Sequence, residues 1–126
     1  MARKAASRTH HVQLTADLAF RNRVDYELDC QEWALGRRPH PAQMVGDALR
    51  HIRYMHGAEL AALIGHLDLS VAARAGVVMV AHPEWGLAEK LALRFTPQTP
   101  GRLGVTWSPR VVIIGALFTY SRTRTK

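Results

Sequence analysis

Between Val12 and Cys30 the large apolar side chains keep one parity. Val12, Leu14, Leu18, Phe20, Val24, Tyr26, Leu28 and Cys30 all stand at even positions. This constrains the fold more than any other feature of the chain, because a period of two is the mark of a strand with one buried face. The two runs are separated by Arg21-Asn22-Arg23. A three-residue loop there sets Phe20 opposite Val24 and Leu18 opposite Tyr26, with both stripes on one face, so the pattern predicts a β-hairpin. The competing reading is a helix starting near Thr15, with an apolar arc about 160° wide on which Phe20 and Tyr26 sit poorly.

The period then changes. Gly36-Arg37-Arg38-Pro39-His40-Pro41 is a loop, and Pro41 suits the first turn of a helix. Val45, Ala48, Leu49, Ile52 and Met55 follow at helical spacing up to Gly57, and a second helix spans Ala58–Leu67. Val71–Val80 is apolar nearly all round. It reads as a buried third helix, with a buried strand as the alternative for its β-rich end Val77–Val80, so that residues 76–81 stay open between helix and strand. His82-Pro83-Glu84-Trp85-Gly86 breaks the chain before a short helix over Leu87–Leu93. Beyond it Leu91, Leu93 and Phe95 alternate, as do Leu103, Val105 and Trp107. Val111–Tyr120 is a long β-branched run, with turns at Pro97–Gly101 and Ser108–Arg110. The expectation is an α+β fold: an N-terminal β-hairpin, a helical middle of two to three helices, and a C-terminal antiparallel β-meander, with the helices packed on one sheet. It divides into a basic arm (1–11), a single domain (12–120) and a basic tail (121–126).

At 126 residues and 48% hydrophobic content the chain suffices for one core. The single cysteine, Cys30, allows no internal disulfide and points to a reducing, cytoplasmic setting. The basic start lacks a following apolar run of signal-peptide length. Val77–Ala81 and Val111–Phe118 are too short to span a bilayer, so no membrane partner is expected.

Charge is distributed unevenly. Residues 1–89 hold ten Arg/Lys and all ten Asp/Glu, whereas residues 90–126 hold seven cations and no acid, which accounts for the net charge of +7. A segment of one sign attracts polyanions. Arg94, Arg102 and Arg110 lie on or beside the predicted strands with Phe95, Trp107, Phe118 and Tyr120 between them, and Arg122, Arg124 and Lys126 alternate with Ser and Thr at the end. Arginine forks and hydroxyls suit phosphate, and aromatics beside cations can stack on bases, although aromatics in strands commonly belong to the core. Arg3, Lys4 and Arg8 add charge at the other end. These nine residues form the expected nucleic-acid contact set.

Other constellations point less far. Asp25, Glu27 and Asp29 on a strand would share a face, with Asp17 opposite, as in a magnesium-dependent nuclease, but a solvated face shows the same pattern. A further reading sets this ladder against a basic surface of a neighbouring copy. The seven histidines form neither an HExxH pattern nor zinc-finger spacing with Cys30, and no Gly-rich phosphate loop is present, so neither cofactor nor metal is expected. Ala61, Gly65 and Val71 match helix-turn-helix spacing, but a recognition helix over Leu69–Gly76 offers only Ser70 and Arg74 as polar readers. Pro97–Leu103 resembles a short run of small phage neck and tail proteins, too briefly to carry residue roles across. The expected function is that of a small non-catalytic protein binding DNA or RNA through its basic termini and C-terminal β segment. The alternatives are a structural or inhibitory subunit of a phage particle or ribonucleoprotein, docking through its arms or as a homo-oligomer, and a metal-dependent nuclease.

Overall fold

In the computed structural model, which describes residues 9–69 and 72–124, the first half of the expected hairpin is a strand and the second half is a helix. Strand β1 (Thr9–Thr15) buries Val12 and Leu14 as the parity requires. The chain then turns at Asp17, whose carboxylate accepts the Ala19 and Phe20 N–H groups and caps helix α1 (Leu18–Leu35). Gly36 ends α1 in the left-handed conformation with φ 77°, and its N–H is donated to the Glu32 carbonyl. Arg21-Asn22-Arg23 is therefore not a loop but part of α1. The parity misleads because Phe20, Val24 and Leu28 are four apart, a spacing that satisfies both periods. The buried set is Phe20, Val24, Glu27 and Leu28, a helical face, while Leu18 is 69% and Tyr26 55% exposed.

The C-terminal β-meander is also absent among the described residues. Gly101–Leu103 is a 3-10 turn, Val105–Trp107 is irregular, and Pro109–Arg124 is a helix, which we number after the elements that precede it. Its start carries a legible signal: Ser108 accepts the Val111 N–H on its hydroxyl, and Pro109 occupies the first turn. The β-branched run Val111–Ile114 lowers helix propensity by a few tenths of a kcal/mol per residue, a cost that burial overrides. Every residue from 111 to 119 is buried. A helix apolar all round belongs at the centre of a fold.

Between these ends lie a 3-10 turn (Pro41–Met44) and helices α2 (Val45–Ile52), α3 (Gly57–Ile64) and α4 (His82–Gln98), with strand β2 (Ala72–Ala81) between α3 and α4; Pro109–Arg124 is α5. Residues 76–81 are thus strand. β2 pairs antiparallel with β1, Val12 opposite Val78 and His10 opposite Val80, with an irregularity between Gln13 and Thr15. Because α3 leads into a strand, the helix-turn-helix expectation fails. His82–Gly86 opens α4 instead of breaking the chain, as Pro83 fits its first turn, and Pro97 falls in its last turn. α5 packs against all four other helices and β1. It packs tightly on α3 at Gly115, where an added Cβ would lie 3.3 Å from Ile64 Cδ1. The architecture is a helical bundle around α5 with a two-stranded ribbon on one side. No helix among the described residues is long and apolar enough to cross a membrane.

Candidate nucleic-acid interface

The turn between α2 and α3 presents a cation and an aromatic ring together. Ile52 closes α2 in the core and Met55 is partly buried against that core, while the two residues between them, Arg53 and Tyr54, are exposed. Tyr54 is 83% exposed, and the Arg53 guanidinium carbon lies 4.7 Å from its ring centroid. That is within the range of a cation–π contact.

Four hydrogen bonds hold this turn. The Met55 N–H is donated to the Ile52 carbonyl at 3.0 Å, and the Met55 carbonyl accepts from Arg94 Nη2 at 3.0 Å. His56 Nδ1 accepts the Ala58 N–H at 3.2 Å, capping α3. Gln98 Oε1 accepts the Gly57 N–H at 2.7 Å. Lys90 precedes Arg94 by one turn of α4 and is exposed. Arg53 thus lies over an exposed tyrosine on a pinned turn, Arg94 reaches the carbonyl of the next residue, and Lys90 stands one helical turn from Arg94. Glu59, in the first turn of α3, contributes an exposed carboxylate to the same region.

The expected contact residues are dispersed. Arg94 belongs to this face, although one guanidinium nitrogen is committed to Met55 and the group lies 4.9 Å from the Phe95 ring centroid. Arg110 is structural: Nε donates to the Gln13 carbonyl at 2.6 Å and Nη1 to the Leu69 carbonyl at 2.9 Å, tying β1 and the chain after α3 to the start of α5. Arg102 is exposed on its 3-10 turn beside Gly65, at the end of α3 opposite Tyr54. Arg122 and Arg124 fall in the last turn of α5, with side chains outside the description, and Arg3, Lys4, Arg8 and Lys126 lie outside the described residues. Ser121 is buried and donates its hydroxyl to the Leu117 carbonyl, so it offers nothing to phosphate. Phe95, Trp107 and Phe118 are core; Trp107 donates its indole N–H to Thr99 Oγ1 at 2.7 Å. Among the described residues there is no C-terminal β segment to form a shaped contact surface.

Helix geometry also separates the acid ladder. Asp25 and Asp29 stay on the solvent face of α1 with Glu32, and all three surround the Arg38 guanidinium. Glu27 points the opposite way, buried, accepting from Gln31 Nε2 at 2.8 Å. Among the described residues no group of three or more His, Cys, Asp or Glu comes together as a metal site. His10 Nε2 and His82 Nδ1 lie 2.9 Å apart, and His10 stacks on Trp85 at 4.6 Å. The two ring centroids are 5.2 Å apart, which places the nitrogens head to head, the arrangement of an N–H···N bond that pins β1 to the start of α4.

The Arg53–Tyr54 pair was missed by periodicity because Arg53 falls on the polar side of α2 and Tyr54 lies beyond its end. An Arg-aromatic pair at the end of an amphipathic run, just before a glycine, is the signal that could have found it. No protein family, curated protein or solved structure matches this chain.

Proposed function

We propose that the protein is a non-catalytic nucleic-acid-associated binding protein whose shaped contact is the face formed by Arg53, Tyr54, Lys90 and Arg94. The observation that carries this reading is the exposed tyrosine under a guanidinium, on a turn whose Met55 carbonyl is held by Arg94 of α4, with the exposed Lys90 one helical turn from Arg94. The acid-free stretch from residue 90 onward supports it by biasing the long-range field toward polyanions. The basic ends add affinity for phosphate.

The test is equilibrium binding to mixed-sequence nucleic acid at several salt concentrations. Each phosphate contact contributes a slope of about −0.7 to −0.9 in log affinity against log salt. Arg53→Gln and Lys90→Gln each lower that slope by about one contact. Salt-independent binding, or none at low salt, contradicts the reading.

One observation favours a second reading, a subunit of a larger assembly. Tyr26, Cys30 and Trp33 recur at helical spacing on the outer face of α1, and Trp33 is 92% exposed. A docked partner would bury that stripe, and Trp33 emission shifts on assembly where it does.

A further inference from the structure

We infer that the nucleic acid bound at this face is single-stranded and that one unpaired base stacks on Tyr54; this rests on the reading above. Four observations carry it. The ring protrudes: it is 83% exposed on a short turn between two eight-residue helices. A protruding aromatic reaches a base face only when the base is free of a duplex stack, whereas every base has a π-face to offer once unpaired. The ring's environment is one-sided, with Arg53 4.7 Å from the centroid and most of Tyr54 open to solvent. A base on the open face completes a sandwich, with the guanidinium behind the ring and free to reach a flanking phosphate.

The turn is also preorganised. Arg94, Gln98 and His56 each hold a backbone group of residues 55–58, so the ring is presented without an ordering cost in the backbone. Finally, the helix faces among the described residues lack what a duplex reader needs. Groove recognition uses a helix with several polar side chains toward base edges. On α2, Arg50 is paired with Asp47, and the outward face of α1 carries Asp25, Asp29 and Glu32 around a single arginine. Lys90 and Arg94, four residues apart on α4, lie about 6 Å apart along the helix and supply phosphate contacts to a strand leaving Tyr54.

Fluorescence anisotropy on the full chain tests this, using labelled single strands of roughly 12 nucleotides, DNA and RNA separately, and the matching duplexes. The wild type binds single strands of one or both kinds at least tenfold more tightly than duplex. Tyr54→Ala weakens the single-strand complex by about 5- to 150-fold, the loss of one stacked base, and leaves duplex affinity within about twofold. Tyr54→Phe retains the stack and stays near wild type. Circular dichroism of each variant separates a lost contact from a lost fold. Equal affinity for duplex and single strand, or a Tyr54→Ala variant that binds single strands normally, overturns the stacking inference while salt-dependent binding keeps the broader reading alive. Absence of binding to every probe removes both.

Discussion

Replacing Asp17 with alanine distinguishes a helix from a hairpin at the first turn of this fold. One carboxylate oxygen accepts the Ala19 and Phe20 N–H groups at 2.9 and 3.3 Å, and the other accepts the Asp68 N–H at 2.9 Å. Thr15 completes the clasp, its hydroxyl accepting the Asp17 N–H at 3.1 Å and donating to the Asp68 carbonyl. Loss of an N-cap costs about 1 kcal/mol. Loss of the charge-assisted bond to Asp68 adds about 1 kcal/mol more, after allowance for the partial exposure of Asp17. Asp17→Ala therefore destabilises by about 2 kcal/mol, and Asp17→Asn, which keeps the cap but turns a donor toward the Asp68 N–H, by about 1 kcal/mol. Urea unfolding followed by far-UV circular dichroism reads both, and a Tm loss of roughly 5–10 °C accompanies the alanine variant.

The acid limb adds a second readout. The Asp68 N–H holds the Asp17 carboxyl below its ordinary range; burial opposes this, and the Phe20 and Ala19 N–H groups and the charge of His66 reinforce it. A folded-state value below the unfolded one means that the stabilisation is fully present above about pH 4 and fades as pH falls through the folded value. Asp17→Asn removes that dependence and flattens the acid limb. Were residues 12–30 a hairpin, Asp17 would lie on an exposed strand face and both substitutions would stay within about 0.5 kcal/mol of wild type; that outcome refutes the helix and the clasp together.

Two other substitutions probe the packing. Gly57→Ala raises helix propensity by about 1 kcal/mol but destabilises by about 1–3 kcal/mol in chemical denaturation, because the new Cβ would lie 2.7 Å from the Phe95 carbonyl oxygen and 2.9 Å from Thr99 Oγ1; a more stable variant contradicts the fold at this junction. Arg110→Gln loses two hydrogen bonds to backbone carbonyls and costs about 1–2 kcal/mol, while its nucleic-acid affinity, measured under conditions where it is folded, changes less than that of Arg53→Gln.

Several features were legible in the residues themselves. β1 was visible in the alternation of Val12 and Leu14, and α2 and α3 in their apolar spacing up to and beyond Gly57. The core of α1 was hidden because four-residue spacing at Phe20, Val24 and Leu28 keeps even parity, and the informative residue was Asp17, a cap in the right place. The β-branched residues of Val111–Tyr120 suggest a strand where α5 forms, although Ser108-Pro109 before that run is a helix start. Its burial on all sides depends on α1 through α4 folding around it, which local sequence does not encode. Charge had a similar limit. The acid-free stretch could be counted, but the commitment of Arg110 to two carbonyls and of Arg94 to the Met55 carbonyl depends on tertiary contacts. Tyr54 gave no periodic signal, since it is exposed and lies in a turn.

The central claim, that the Arg53–Tyr54–Lys90–Arg94 face binds nucleic acid, is tested most directly by the salt slope of binding in the Arg53→Gln/Lys90→Gln double variant beside wild type. The account predicts a folded variant whose slope is shallower by about two phosphate contacts and whose affinity at low salt is correspondingly reduced. A double variant with an unchanged slope and unchanged affinity contradicts it and moves the contact to the chain's basic ends.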